Sequence, residues 1–367
     1  MWLHTDLLWP TLALAFVWGS LWGSFLNVVI WRLPRGKSLI HPPSHCPHCG
    51  AGVRWFDNIP IFAWLWLRGK CRDCEAPISG RYPLVELVAA LLTAALWWHV
   101  AAHRIDLVPV QTLLVPFLFW QFFVLVCLAI ALIDLDLTII PHELTFPTMA
   151  AGLAAALLIP KTGTFETLYP QVDIVDSVLG LVLGAGSLIA VFQGYKALTG
   201  RVGMGGGDVT MIGMIGAYLG WQSLVFVLLF SSLQGVLVAV GAGVYRKIRP
   251  EKGTLLIEGA HKASFWESDP VAEEEARRLA ERTRAAGGAP PEGVDSAKAT
   301  PESPSEVAPA DALAESDAAT LEGGEGGEED AFLQLAIPFG PFLALAAVQY
   351  IFVGATFWRW LMAGDVP

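Results

Sequence analysis

Long apolar runs separated by unequal polar breaks dominate the chain. Runs over 7–30, 84–100, 113–133, 144–159, 174–198, 224–245 and 332–356 approach or exceed the roughly 17 to 25 residues that cross a bilayer core of about 30 Å. An eighth, 209–219, is barely long enough and is expected to lie partly buried among its neighbours. The pattern predicts an all-α polytopic membrane protein of about eight transmembrane helices. Two of the polar breaks are long, and they divide the chain into a first transmembrane helix (1–31), a cytoplasmic domain (32–82), a transmembrane core (83–250), an insert (251–330) and a last helix with an external tail (331–367). Met1 to Pro10 has no basic n-region of the kind a cleavable signal carries, so the first span is expected to stay attached.

Charge sets the orientation. Arg32, Arg35 and Lys37 follow the first run, whereas only Asp6 carries charge before it, which places the N-terminus outside and the 32–82 loop, with most of its charge basic, in the cytoplasm. Counting spans from there returns both Asp134 and the glycine cluster 203–207 to the cytoplasmic side, and Arg246, Lys247 and Arg249 mark that side again. The net charge of −11 belongs to one segment: 251–330 holds 20 Asp and Glu against 7 Lys and Arg. Rich in Ala, Pro, Gly and Glu, it is too polar to build a core and is predicted to be disordered apart from a short helix over 271–285. A tolerated insertion and a docking tail are its two readings. Membrane lipid is the expected surrounding, and no nucleic-acid partner is expected.

Two carboxylates stand at the ends of apolar runs. Asp134 closes the run from 117 to 133, and Asp208 follows Gly203-Met204-Gly205-Gly206-Gly207 and opens the run to 219. Those glycines would each cost a helix interior about 1 kcal/mol relative to Ala, so they read as backbone loosened beside one acidic side chain. An N-cap is the plain alternative for Asp208. Charged side chains in membrane helices cost about 2.5 to 3.5 kcal/mol on insertion scales and mark functional sites by default. Two of them at one membrane face match an aspartyl protease, in which one carboxylate activates water while the other, protonated, polarises the peptide carbonyl. A transporter or scaffold using the carboxylates as a proton relay is the rival class, but a relay would stagger them across the bilayer.

Cys46-Pro47-His48-Cys49 and Cys71-Arg72-Asp73-Cys74 are two knuckles about twenty residues apart, the spacing of a four-thiolate Zn2+ site. Two disulfides are the competing reading, disfavoured in a reducing cytoplasm. With four Cys available, His41, His45 and His48 are not expected to be ligands. Such a site has no open position, so its metal should be structural. Cys127, inside an apolar run, reads as a small core residue.

These residues together resemble the type IV prepilin peptidase family, also called leader peptidase and N-methyltransferase. The resemblance rests on Gly23-Ser24-Phe25-Leu26-Asn27 through Arg32-Leu33-Pro34, on the two knuckles with Asp57-Asn58-Ile59-Pro60 between them, and on Ile78-Ser79-Gly80-Arg81-Tyr82-Pro83 through Glu86. It rests also on Asp134 seven residues before Pro141, on Gly205-Gly206-Gly207-Asp208, and on Ile337-Pro338-Phe339-Gly340-Pro341-Phe342. It implies an aspartic endopeptidase of the bacterial inner membrane that cuts the basic leader from type IV prepilins and type II secretion pseudopilins after a Gly at the cytoplasmic face. It also implies N-methylation of the new terminus with S-adenosylmethionine; a peptidase without methylation is the alternative. Asp134 and Asp208 take the catalytic roles by resemblance, and Asp136 does not. Thr210 and His142 depart from the common Lys and Asp of the family, and the acidic insert is longer than usual there. No glycine-rich nucleotide fold is evident for the methyl donor.

Overall fold

The computed structural model describes residues 5–102, 109–158, 172–200, 205–248 and 338–363. The acidic insert, the helix expected over 271–285, the external tail, and Gly203 with Met204 lie outside the described residues. Helices are α1 (Thr5–Arg32), α2 (Phe62–Trp66), α3 (Arg81–Ala101), α4 (Val110–Leu137), α5 (His142–Leu158), α6 (Ile174–Thr199), α7 (Gly206–Leu219), α8 (Trp221–Ile248) and α9 (Gly340–Ala363). No strands occur among the described residues, which hold only two isolated β-bridges. All helices but the short α2 stand where the apolar runs predict them. Six of them are long and apolar enough to cross a membrane, while α5 and α7 have 17 and 14 residues. The last helix is described from Gly340, and 332–337 of the run expected there lie outside the described residues. Pro341, which lacks an N–H, fits its first turn, where that donor would have no helical partner.

Lipid offers no hydrophobic drive for helices to associate, so small residues that let backbones approach must supply the packing. Gly19 and Gly23 of α1 are such residues. A Cβ on Gly23 would come within 2.6 Å of the Glu86 Cα on α3, and one on Gly19 within 2.6 Å of the Thr93 Cβ. Helices α6 and α7 meet in the same way, Gly180 directly against Gly216, with the Ser177 hydroxyl donating to the Ala217 carbonyl at 2.5 Å. Gly152 of α5 approaches the Ala217 carbonyl as well.

The short α7 is enclosed by these neighbours. Every residue from Met211 to Leu219 is buried, as expected of an arm too short to face lipid along its length. Near its end Tyr218 stacks on Phe119 and Phe123 of α4, at 4.2 and 4.5 Å between ring centroids, and donates its hydroxyl to the Phe119 carbonyl. Tyr218 lies ten positions beyond Asp208, about 15 Å along a helix, and Phe123 lies a similar distance before Asp134. Helices α4 and α7 are thus antiparallel and in register. That register carries Asp134 and Asp208 to one end of the bundle.

Candidate active site and cysteine cluster

Asp134 sits in the last turn of α4 and is 5% exposed. Thr138 ends the helix in the left-handed conformation, at φ +54°, with its N–H on the Asp134 carbonyl at 2.9 Å, so the chain turns back directly after the carboxylate. The Asp134 side chain accepts the backbone N–H of Gly340, the first residue of α9. A helix N-terminus presents unsatisfied N–H groups and favours negative charge, which suits a carboxylate there. Gly340 has no room for a side chain: a Cβ would stand 2.5 Å from Asp134 Oδ2 and 3.2 Å from Ile140 Cδ1.

Asp208 lies in the first turn of α7, past Gly205, which holds the cap position and makes no side-chain bond there. Asp208 is therefore not the N-cap. Its carboxyl is near enough to that of Asp134 for the two to interact electrostatically. Ile140 forms the shared wall, because a Cβ on Gly207 would meet the Ile140 Cβ at 2.8 Å while Ile140 also borders Gly340. Three helix ends, of α4, α7 and α9, thus converge on two carboxylates. At the rim the Thr210 hydroxyl donates to the Gly207 carbonyl at 2.9 Å and lies 3.5 Å from His142 Nδ1, and the His142 ring stacks on Phe146.

Asp136 has a different engagement. Two residues on from Asp134 and rotated by about 200°, it takes a two-pronged contact from Arg81, at 2.7 and 2.5 Å. This pair fastens the end of α4 to the start of α3.

The cysteines come together in the loop between α1 and α3. Their four sulfurs lie within 4.8 Å of one another, none is in a disulfide, and Cys46 Sγ is 3.7 Å from Cys74 Sγ. A tetrahedron of Zn–S bonds of about 2.3 Å has edges of about 3.8 Å, so the donor set fits zinc. Each knuckle turns the same way. The Cys46 N–H meets the Ala51 carbonyl and the Gly50 N–H the Cys46 carbonyl, and the Cys71 N–H meets the Ala76 carbonyl and the Glu75 N–H the Cys71 carbonyl. The backbone N–H groups of Cys74 and then Asp73 draw the Cys71 thiol down to about 7, while Cys46 and Cys74 beside it are pushed up, so the four sulfurs share their protons unequally. Arg72 grips Asp57 from the second knuckle, holding that carboxyl below its usual range, and Arg54 pairs with Asp73 across the two knuckles. Cys127 is buried in α4, away from this cluster, as expected of a core residue.

Sequence reasoning gave Gly340 and Ile140 no place at the carboxylates, and gave Arg81 no partner. One signal was available for Gly340, a glycine set between two prolines at the head of an apolar run. A contact between 134 and 340 has no local signature.

Fold and site together define a polytopic helical membrane protein with two aspartates gathered at one end of its bundle and a loop whose four clustered cysteines fit a metal. Residues 17–100 match the family model described as Bacterial Peptidase A24 N-terminal domain, and residues 121–240 match the Type IV leader peptidase family. The first span covers the cysteine loop and the second both aspartates. Among curated proteins the chain is similar to a prepilin leader peptidase/N-methyltransferase of Aeromonas hydrophila, 38% identical over 268 residues, which cover 66% of this chain and 85% of the relative. It is also similar to proteins of that name from Myxococcus xanthus, 39% identical over 61% of each chain, and Pseudomonas aeruginosa, 35% identical over 67% of this chain and 84% of the relative. No solved structure matches the chain. The chain belongs to the type IV leader peptidase family.

Proposed function

We propose that this protein removes the basic leader of type IV prepilins and type II secretion pseudopilins, cutting after Gly at the cytoplasmic face of the bacterial inner membrane, and then methylates the exposed amine with S-adenosylmethionine. The convergence of Asp134 and Asp208 carries the peptidase part. They are two carboxyl groups on different helices, brought to one end of the bundle in mutual electrostatic reach. One takes a proton from water as the oxygen attacks the scissile carbonyl. The other, protonated, donates to the carbonyl oxygen as charge develops there, and the first returns its proton to the departing amine. The Gly340 N–H orients Asp134 for this exchange. Placement at one end of the bundle also disfavours a transmembrane relay.

Cys46, Cys49, Cys71 and Cys74 would hold zinc with all four positions filled, giving the loop its fold and leaving no site for substrate on the metal. Methylation is supported by the names of the relatives, and no residue of this chain is assigned to the methyl donor. The division at 1–31, 32–82, 83–250, 251–330 and 331–367 belongs to the same reading, with the loop as one unit and the aspartates in the core.

The test is incubation of the purified protein with a prepilin peptide and S-adenosylmethionine, followed by mass analysis. Wild type should yield a cleaved product carrying an added methyl. Asp134→Asn and Asp208→Asn should each lose cleavage by at least about 10²-fold, since an amide keeps the volume but cannot cycle a proton. Asp136→Asn should retain most activity. Wild-type cleavage by Asp134→Asn would overturn the assignment, and an unmethylated product would reduce the protein to a peptidase.

A further inference from the structure

Helix α2 turns its apolar side outward. Trp64 faces the loop interior, donating its indole N–H to the Ile78 carbonyl at 2.9 Å with its ring against Gly69, and Ala63 is buried beside it. Phe62, Leu65 and Trp66, at positions i, i+3 and i+4, form the opposite face and are 59, 60 and 71% exposed. Trp55, just upstream, is 82% exposed. A water-facing helix would show the reverse pattern. The rings of Phe62 and Trp66 stack on each other, and Arg68 and Lys70, which follow α2 in the chain, are exposed.

The depth of this face follows from a fixed contact. The Ile61 N–H, immediately before α2, donates to Glu86 Oε2 at 2.6 Å, and Glu86 also accepts from Ser24 of α1. Ile61 is held at φ +62°, a conformation a β-branched residue adopts only when its surroundings impose it. Glu86 is buried in the second turn of α3, five positions and about 7.5 Å past Arg81. The Arg81–Asp136 pair marks the polar boundary of the bundle. That offset along α3 from the Arg81–Asp136 pair is close to the depth of one headgroup layer, roughly 5 to 7 Å, so the amide that starts α2 is tied about one such depth toward the bundle interior.

We propose that α2 is an interfacial anchor. Phe62, Leu65 and Trp66, with Trp55, enter the headgroup–acyl boundary of the protein's own membrane, and Arg68 and Lys70 meet anionic phospholipid headgroups. Aromatic rings and basic side chains share that boundary in membrane proteins, and amphipathic helices seat their apolar face about 5 to 10 Å into it. The anchor holds the cysteine loop against the bilayer beside the aspartates and goes beyond the peptidase reading, since it concerns lipid and not substrate.

The full-length protein is reconstituted into vesicles of phosphatidylglycerol and phosphatidylethanolamine doped with a phospholipid bearing a diazirine near the glycerol end of an acyl chain. After irradiation, adducts are mapped by peptide mass analysis. Residues 55–66 should carry lipid adducts at a level comparable with Leu84 and Leu91, exposed apolar positions on the membrane helix α3. Leu65→Glu together with Trp66→Glu should cut adducts on 55–62 at least fivefold and leave those on Leu84 unchanged. Absence of adducts on 55–66 in wild type, with Leu84 and Leu91 labelled, overturns the proposal without recourse to any variant. So does a segment that is labelled by a diazirine-bearing prepilin and by no lipid, which would make the face a substrate surface.

Discussion

The cysteine cluster and the carboxylate cluster are both polar sites, but they are built at different ranges of the chain. Cys46 and Cys74 are 28 residues apart, and each knuckle closes through hydrogen bonds between residues five or fewer positions apart. The carboxylate cluster draws Asp134, Asp208 and Gly340 from three helices and depends on the α4–α7 register set by Tyr218, at the far end of α7. A local site can tolerate changes elsewhere in the bundle. A site made of converging helix ends has no such insulation: small additions of volume between the helices should disable it while leaving the loop unchanged.

The largest effect that exposes this difference is expected at Gly340. In Gly340→Ala the new Cβ would lie 2.5 Å from Asp134 Oδ2, and the carboxylate must move. A displacement near 1 Å in a catalytic arrangement costs about 10²-fold in rate, so cleavage should fall by that order with bound zinc unchanged. Gly207→Ala presses instead on the Ile140 Cβ, an atom that yields only with its backbone, and should lower cleavage by moving Ile140 and not a carboxylate directly. Peptide cleavage and metal content measured on the same preparations check both. Equal activity in Gly340→Ala and wild type would break the comparison.

The reciprocal experiment removes the metal. Chelation, or Cys71→Ser, should release about one zinc per chain and open the loop, seen as fast amide exchange over residues 44–78. The buried helices α4 and α7 should keep their protection, because their packing does not pass through the cysteines. Loss of protection throughout the bundle would show that the loop is not local.

Between these extremes lies a tie from the loop end of α3 to the carboxylate helix, Arg81 with Asp136. The pair is partly exposed, with 22 and 15% of its side chains accessible, so its worth falls between a surface pair and a buried one. Arg81→Ala should cost about 1 to 2 kcal/mol of stability in detergent, and Asp136→Asn a similar amount, with the double variant little worse than either. Thermal unfolding of the four proteins reads the coupling directly. Strict additivity would mean that the contact holds nothing.

How much could be read from the residues alone follows the same division. The knuckles were legible because their C-x-x-C spacing is itself the ligand geometry. That the two aspartates share one end of the bundle was legible by counting spans, since each apolar run reverses the direction of the chain. The burial of α7 followed from its length. Gly340 was not legible as a neighbour of Asp134, because nothing in the order of residues says which helix end caps which carboxylate. Arg81 was missed for Asp136 for a related reason: the pair spans 55 positions and is decided by the packing of α3 on α4. The outward aromatic face of α2 is written in Phe62, Leu65 and Trp66, but five residues are too few for periodicity to declare a helix.

The smallest expected effect lies inside the loop, at the residue that follows the second cysteine of each knuckle. Gly50 turns the first at φ +71° and Glu75 turns the second at φ +58°, in matching places of the same hydrogen-bonded turn. The left-handed conformation costs a residue with a Cβ about 1 kcal/mol, and nothing lies within 4 Å of where a Cβ on Gly50 would stand. Gly50→Ala should therefore cost about 1 kcal/mol through conformation alone. The reverse change, Glu75→Gly, relieves that strain but gives the unfolded loop more freedom to lose, and the two terms are of similar size. It should shift stability by less than about 0.5 kcal/mol. Zinc affinity measured by chelator competition separates the two cases: a weakened Gly50→Ala beside a near-neutral Glu75→Gly is expected, and equal losses in both would mean that the Glu75 side chain, not its backbone, holds the second knuckle.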